Sequence, residues 1–329
     1  MPISPAEIIV TIPVSPDRGS GTAMAKLTNM VSAIGSLKDL NAARAEFDDA
    51  SKTIPAEAAF PPADIRPAAD DSRTLMLRVT NPGNLAEAAP QSSSQGDIFA
   101  VIHVPASGEF AAALVLNPST QIEAGQTFAT IADEGGWPVV VAVAEEFLGI
   151  RIDHIAQLES DALGRVIDEL DGMQMYSRAA FAAGGTDFVE GTNNLSGTTS
   201  AIFTAADPVD DAGQTRTRNQ RAIVRALVQA LKSGGLVKNP NKGAAVLGHF
   251  ASGIQHNAEL TTGELVEIAN RLRTLQTDDI AVVTVPTNSR REEDGTVIID
   301  FDPEAEPALK NALTSNDLDD FVRYLLSLG

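Results

Sequence analysis

The 329-residue sequence contains no cysteine and only four histidines. Disulfide bonds, cysteine-ligated zinc, iron–sulfur clusters and cysteine nucleophiles are therefore excluded. No two of the histidines have the i, i+4 spacing of a helical zinc motif, so we do not expect a histidine-built metal site. Any metal ion would be held by oxygen ligands.

Long apolar runs are also absent. No run approaches the roughly 18 residues that a membrane span needs, and the first residues lack the basic and apolar regions of a signal peptide. The sequence matches neither the Rossmann nor the Walker fingerprint and has no GxSxG elbow. We therefore expect no membrane span or signal peptide in the sequence as given, and neither a dinucleotide-binding enzyme nor a serine hydrolase.

Basic residues are outnumbered, with 24 Lys and Arg against 44 Asp and Glu, which gives a net charge of -20. A field of that sign repels phosphate backbones, so nucleic-acid binding is not expected. One stretch reverses the balance, because residues 212–258 contain no acidic residue and seven basic ones. Such a local reversal in an acidic chain indicates a site for an anion.

Four arginines of this stretch, Arg216, Arg218, Arg221 and Arg225, lie within ten residues at the start of a predicted helix, 217–231. Backbone N–H groups and the helix dipole favour an anion there, and guanidinium groups suit phosphate oxygens. Because charged residues that flank a helix start are rarely part of the core, we expect replacement of Arg216 and Arg218 to weaken anion binding with little loss of fold stability. The alternative is that they pair with acidic neighbours on a solvated face.

Strand and helix patterns alternate along the chain, which predicts an α/β fold with a central β-sheet flanked by helices. We divide the chain into an N-terminal helical and linker segment, 1–68, and an α/β domain, 69–329. Strands are predicted at 74–80, 97–105, 111–116, 151–158, 173–175, 279–285 and 296–301. Helices are predicted within 23–47 and at 138–147, 161–170, 217–231, 244–251, 262–275, 303–313 and 318–328, and a mobile loop at 86–96.

Several segments between Arg73 and Leu313 resemble the LytR-CpsA-Psr family of cell-envelope proteins. The most specific is Leu148-Gly-Ile-Arg-Ile-Asp-His-Ile, between two predicted helices. The others are Gly96-Asp-Ile-Phe, Gly191-Thr-Asn-Asn-Leu-Ser-Gly, Arg216-Thr-Arg-Asn-Gln and Ile280-Ala-Val-Val-Thr-Val-Pro. The resemblance implies a three-layer domain with a central mixed sheet, and a long apolar cleft between helices and sheet for a lipid tail.

The family is understood to transfer glycopolymers from a polyprenyl-pyrophosphate carrier to peptidoglycan outside the cytoplasm, as a phosphotransferase that uses Mg²⁺. The resemblance implies that Asp97 is the catalytic residue and binds the metal. Asp211, which lies with Asp207 and Asp210 in an acidic loop, is the second predicted metal ligand, although such a loop is also compatible with a solvated surface. Arg216, Arg218, Gln220, Arg221 and Arg225 would bind the substrate. Membrane association would come from an anchor that the given sequence lacks, or from the bound lipid.

Three positions depart from the family pattern. Asn81 stands where the family has aspartate, Ser119 stands where it has arginine, and Ala205 lies where a strand of the pattern Tyr-Val-Arg-x-Arg is expected. Each change removes a charge that would offset pyrophosphate or metal. Two interpretations therefore stay open: a divergent glycopolymer transferase, or a non-catalytic module that binds a lipid phosphate or a partner in the cell envelope.

Overall fold

The computed structural model describes residues 37–81, 93–209, 211–232, 239–273, 275–276, 279–315 and 321. Four predicted features lie wholly or largely outside these ranges: the helical stretch before residue 37, most of the loop 86–96, Asp210 and the helix 318–328.

Fifteen strands and nine helices carry the fold in the described ranges. The strands are β1 Thr53–Ile54, β2 Arg73–Thr80, β3 Ile98–Val104, β4 Ala111–Leu116, β5 Thr120–Glu123, β6 Gln126–Thr127, β7 His154–Glu159, β8 Met173–Ser177, β9 Phe181–Ala183, β10 Thr186–Phe188, β11 Gly191–Leu195, β12 Ile254–Asn257, β13 Ile280–Thr284, β14 Thr287–Arg291 and β15 Val297–Phe301. The helices are α1 37–47, α2 Ala56–Ala59, α3 Phe128–Leu148, α4 Ser160–Glu169, α5 Gly197–Ala205, α6 Gln214–Lys232, α7 Pro240–Gly253, α8 Thr262–Arg273 and α9 Glu306–Ser315.

A seven-stranded mixed sheet forms the centre of the molecule, in the order β1-β12-β7-β2-β3-β4-β13. The pairs β1–β12, β2–β7 and β4–β13 are parallel, and the other three are antiparallel. Strands β3 and β4 are almost wholly apolar and buried because helices cover both faces of the sheet. The predicted fold class, a central mixed sheet flanked by helices, is confirmed.

The two faces of the sheet pack against different helices. Met76, Phe99 and Leu114 point to one face, where they meet Phe128 and Val141 of α3 and residues of α9. On the opposite face, alternate residues of the same strands pack against α4 to α8 and α1, because successive side chains of a strand point to opposite sides. Three layers result. A smaller four-stranded sheet, β14-β15-β5-β6, and two two-stranded sheets, β9-β10 and β8-β11, complete the described fold.

Two elements differ from the sequence prediction. Helix α3, Phe128–Leu148, consists of two helical segments that meet at a kink, because Gly136 adopts a left-handed, non-helical conformation (φ 62°) just before Pro138. The predicted helix 138–147 lies in the second segment, and the first segment was not predicted. The strand expected at Ile202–Asp207 is wrong, because residues Gly197–Ala205 form helix α5. Ser196 caps this helix and Thr199 completes the capping box.

The described part of the first segment, residues 37–68, packs against the rest of the chain. Strand β1 pairs with β12 at the edge of the central sheet, and Phe47 stacks on His256 with ring centroids 4.2 Å apart. Arg66 forms a buried ion pair with Glu145 at 2.6 Å. The division at residue 68 stays a prediction, although this part of the segment adds a strand to the sheet.

In the part of the chain that the structure describes, no helix combines the length and the apolar character needed to cross a membrane.

Gly197 provides a test of the packing between α4 and α5. A Cβ at this position would overlap the backbone of Gly164, which cannot move aside, whereas a Cβ at Gly164 would meet Gly197 at an ordinary 3.5 Å. We expect Gly197→Ala to lower the free energy of unfolding by about 2–3 kcal/mol through overpacking. The matched Gly164→Ala should be neutral or stabilising, because alanine favours a helix interior. Urea unfolding measures both, and equal effects would contradict the packing described.

Candidate anion-binding site on helix α6

Helix α6 carries all five residues predicted to bind the substrate, but it turns them to two sides. Arg216 and Gln220 are buried, together with Thr217, Asn219 and Ile223. Arg218 and Arg221 are half-buried and Arg225 is exposed. Because residues three and four apart share a helix face, the first pair forms an inner face and the three remaining arginines form an outer face. The structure therefore does not bring the five residues into one site.

The inner face holds the helix against the start of strand β3. The side-chain amide of Gln220 donates to the backbone carbonyl oxygen of Asp97 at 3.0 Å, and that of Asn219 donates to the carbonyl oxygen of Phe203 at 3.1 Å. Arg216 donates to Asp207 and to the hydroxyl of Ser119, both at 3.0 Å. Ser119, which stands where the family pattern has an arginine, is thus a hydrogen-bond partner of Arg216.

Arg216 differs from the sequence expectation of an exposed anion-binding residue. Its side chain is 5% exposed, its partner Asp207 is 32% exposed, and burial lowers the pKa of its guanidinium. Its Nε has no hydrogen-bond partner among the residues described. Arg216 thus lies in the core, unlike most charged residues that flank a helix start, and Asp207 and Ser119 already bind two of its nitrogens.

Asp97 is buried and engaged at both carboxylate oxygens. Nε of Arg78 donates to one oxygen at 2.6 Å, and the backbone N–H of Asn81 donates to the other at 2.8 Å. The hydroxyl of Ser94 connects Arg78 to Asp133. Burial raises the pKa of Asp97 above its ordinary value, while Arg78 and the Asn81 N–H oppose the rise. The roles of Asp97 as catalytic residue and metal ligand stay predictions.

The donor set around the predicted metal ligands does not fit Mg²⁺. Magnesium in proteins takes one or two carboxylates with free oxygens, together with phosphate and water. Both oxygens of Asp97 accept hydrogen bonds, and the carboxylate of Asp211 accepts from the N–H and the hydroxyl of Thr215. Within the described ranges, no three acidic or histidine side chains are grouped so that they could hold a metal ion.

The outer face of α6 borders a cleft of about 380 Å³ between the helix and the chain around strands β8 and β9. Arg218, Arg221 and Arg225 line it from the helix, and Arg178 lines it from the β8–β9 connection. Neither aspartate nor glutamate is among the described lining residues. We call this the arginine cleft, after Arg178, Arg218, Arg221 and Arg225.

The four arginines of the cleft have few partners of opposite charge. Arg218 lies 3.8 Å from the carboxylate of Asp211, and Arg225 donates to the backbone carbonyl oxygen of Val282 at 3.3 Å. Arg221 has neither a hydrogen bond nor an ion pair with any described residue. Burial lowers the pKa of Arg221, and the nearby charges of Arg225, Arg178 and Arg218 lower it further. Three of the four arginines thus have no ion pair with a described residue, and the positive charge of the cleft is compensated only in part, by Asp211.

Two arginines of these sites, Arg78 and Arg178, were not predicted from the sequence. Arg178 lies in a short connection with no periodic pattern to mark it. Arg78 lies in β2, and only the antiparallel register, which pairs it with Phe99, brings it beside Asp97. The strand pairing is a long-range property, so no local signal reveals the Arg78–Asp97 ion pair.

The apolar cleft expected between sheet and helices is filled in this region by side chains. Phe203, Leu163, Ile167 and Ile223 pack with Val79 and other residues of the sheet. The arginine cleft borders this cluster, because Met175, Phe181 and Ala226 belong to both. Its apolar lining comes from Met175, Phe181, Ala222 and Ala226.

The fold and the site together define a three-layer α/β protein with a basic helix beside its central sheet. A model of the LytR_cpsA_psr family matches residues 114–315, which is more than half of the chain. The protein belongs to this family, as the sequence motifs indicated.

Curated relatives match shorter stretches. Polyisoprenyl-teichoic acid–peptidoglycan teichoic acid transferase TagU of Halalkalibacterium halodurans is 27% identical over 128 residues, 38% of this chain and 41% of its own length. TagU of Bacillus subtilis is 28% identical over 97 residues, 29% of this chain and 31% of its own length. The chain thus spans 31% to 41% of the length of these relatives.

Solved structures share the fold at low sequence identity. TagV of B. subtilis has a TM-score of 0.60 and 16% identity, covering 75% of this chain and 98% of TagV. A LytR-Csp2A-Psr enzyme from Actinomyces oris has a TM-score of 0.54 and 17% identity, covering 77% and 95% of the two chains. These likenesses extend the family fold to about three quarters of the chain.

The two faces of α6 predict different effects of arginine replacement on stability. We expect Arg216→Ala to lower the free energy of unfolding by about 2 kcal/mol, because Asp207 loses the partner of its charge. Arg218→Ala, on the outer face of the helix, should lower the free energy of unfolding by less than about 1 kcal/mol, because the ion pair of Arg218 with Asp211 is long and partly solvated. Urea unfolding of both variants checks this, and an equally small loss for Arg216→Ala would show that the inner face is not structural.

Proposed function

We propose that this protein is a cell-envelope glycopolymer transferase-like protein that binds a polyprenyl-(pyro)phosphate-linked glycan, with the phosphates in the arginine cleft. The observation that carries the proposal is the cleft itself, where four arginines surround one cavity without a lining carboxylate. Guanidinium groups form paired, charge-assisted hydrogen bonds with phosphate oxygens. Phosphate groups match the charge and the donor pattern of this cleft.

The apolar wall of the cleft supports a lipid-linked ligand. Met175 and Phe181 on one side and Ala222 and Ala226 on the other lie beside the arginines, so that isoprene carbons next to the phosphate would contact them. A volume of about 380 Å³ lies at the lower end of the roughly 300–1,000 Å³ of small-molecule sites. The cleft therefore suits the phosphates and the first isoprene units, with the rest of the lipid outside it.

The names of the relatives supply the glycan and the acceptor in this proposal. TagU is described as transferring teichoic acid from a polyisoprenyl carrier to peptidoglycan, and one solved neighbour with a TM-score of 0.54 is TagT bound to LI-WTA. By analogy, the donor here would be a lipid-linked glycopolymer and the acceptor peptidoglycan, in the extracytoplasmic cell envelope. Phosphoryl transfer depends mainly on positioning and charge neutralisation, which arginines can provide.

A second candidate function is a non-catalytic module that binds a lipid phosphate. The observation that favours it is the state of Asp97, whose two carboxylate oxygens are bound by Arg78 and by the Asn81 N–H. Both oxygens already accept hydrogen bonds, so a substrate hydroxyl would have to displace Arg78 or the Asn81 N–H before Asp97 could act as its base. Binding in the arginine cleft is common to both candidates, and only transfer separates them.

Binding is tested by calorimetry of a polyprenyl pyrophosphate with the full chain. We expect the double variant Arg221→Ala/Arg225→Ala to bind at least about tenfold more weakly, because it loses charge-assisted hydrogen bonds to phosphate. Arg165→Ala is the matched control, since Arg165 bonds to Ser252 on α7 and does not line the cleft. Equal affinity of the double variant and the wild type would refute the proposed site.

Transfer is tested by incubating a labelled lipid-linked glycopolymer with peptidoglycan and the protein. Label that becomes covalently bound to peptidoglycan, and is lost with Asp97→Asn while lipid binding persists, would establish the transferase with Asp97 in its predicted role. Lipid binding without transfer in the wild type would instead establish the binding module.

A further inference from the structure

We infer that the arginine cleft binds its diphosphate without a divalent cation, because the guanidinium groups supply the positive charge that Mg²⁺ supplies elsewhere. The inference rests on the proposed function, since it concerns the same cleft and ligand class. It departs from the magnesium dependence that family resemblance implies.

Positive charge surrounds the cavity. Arg218, Arg221 and Arg225 approach it from helix α6, and Arg178 approaches from the β8–β9 connection opposite. Arg178, Arg218 and Arg225 are all close enough to Arg221 to lower the pKa of its guanidinium electrostatically. A diphosphate diester carries one negative charge on each phosphate, so the guanidinium groups already exceed its charge.

The described lining of the cleft has no carboxylate that could bind a cation. Magnesium at phosphate sites is usually shared between the phosphate oxygens and one or two protein carboxylates. No described residue lining the cleft is acidic. Asp211, at the edge, is bonded to Thr215 and lies 3.8 Å from Arg218.

Asp97 lies against the inner face of α6, whereas Arg218, Arg221 and Arg225 lie on its outer face. Gln220, on the inner face of α6, contacts the backbone of Asp97, and the Asp97 carboxylate is occupied by Arg78 and the Asn81 N–H. A cation in the cleft would therefore meet four positive charges without a carboxylate among the described lining residues to hold it. Coulomb repulsion at such short range is unfavourable even near a protein surface.

The structure also adds a residue to the predicted site. Arg178 lies across the cleft from the three arginines of α6, so a bound diphosphate would be held from both sides. Arg178 is exposed and makes no hydrogen bond or ion pair with the residues described. Its replacement should therefore affect binding and leave the fold intact.

The test is calorimetric titration of farnesyl diphosphate, a soluble polyprenyl diphosphate, into the full chain in excess EDTA and in millimolar MgCl₂. We expect binding in EDTA to be at least as tight as binding in MgCl₂, because Mg²⁺ competes with the arginines for the phosphates. Arg178→Ala should weaken binding in EDTA by about tenfold. Arg178→Lys should fall between it and the wild type, since lysine keeps the charge and loses the paired donors.

The outcomes separate this inference from the proposed function. Binding that requires MgCl₂ would overturn cation independence and leave the proposed lipid-phosphate site in place. Binding in EDTA that is unchanged by both Arg178→Ala and Arg221→Ala would overturn the inference by locating the ligand elsewhere. No binding in either buffer would overturn both. Arg165→Ala serves as the control for overall charge, and thermal unfolding of each variant verifies that it is folded.

Discussion

The rotation of helix α6 about its own axis is the constraint on which the rest of the site depends. Gln220 fixes it by donating from the inner face to the carbonyl oxygen of Asp97 at 3.0 Å, at the start of strand β3. Asn219 and Arg216 add bonds to Phe203 and to Asp207 and Ser119. With this face held, Arg218, Arg221 and Arg225 can only project to the other side.

The inner and outer faces of α6 differ in how their charged side chains are paired. On the inner side, each buried ionic group has a partner of opposite sign: Arg78 pairs with Asp97, and Arg216 pairs with Asp207. Burial makes unpaired charges costly, so these pairs stabilise the fold and are not free to bind a ligand. On the outer side, partial exposure to water lets four arginines remain close together, with the long ion pair between Arg218 and Asp211 as their single acidic contact among the described residues. The capacity to bind an anion is therefore concentrated in the arginine cleft.

Much of the architecture could be predicted from the sequence because its signals are local. The apolar runs at Ile98–Val104 and Ala111–Leu116 predicted two central strands, and helical periodicity located α6 within three residues. Helix α5 was not predicted, because its residues stand where the family has a strand motif; in the structure Ser196 and Thr199 form a capping box that begins the helix. The arginine cluster was also visible, but its separation into two faces became apparent only once the helix was placed.

Other features depend on long-range contacts that no local pattern records. The Arg78–Asp97 ion pair requires the register of β2 against β3, and Arg178 joins the arginines only because the β8–β9 connection folds over α6. Burial of Arg216 likewise depends on Ser119, 97 residues away in the sequence. The sequence thus indicated the chemistry of the site, while tertiary packing determined which arginines are available to carry it out.

The central claim is that phosphate binds on the outer face of α6 rather than beside Asp97. A crystal structure with a thiodiphosphate analogue of farnesyl diphosphate tests it most directly, because anomalous scattering locates the sulfur atom. The account predicts the sulfur in the arginine cleft, with the phosphates within hydrogen-bond distance of Arg221 and Arg178. A sulfur position beside Asp97, with the Arg78–Asp97 ion pair opened, would contradict it.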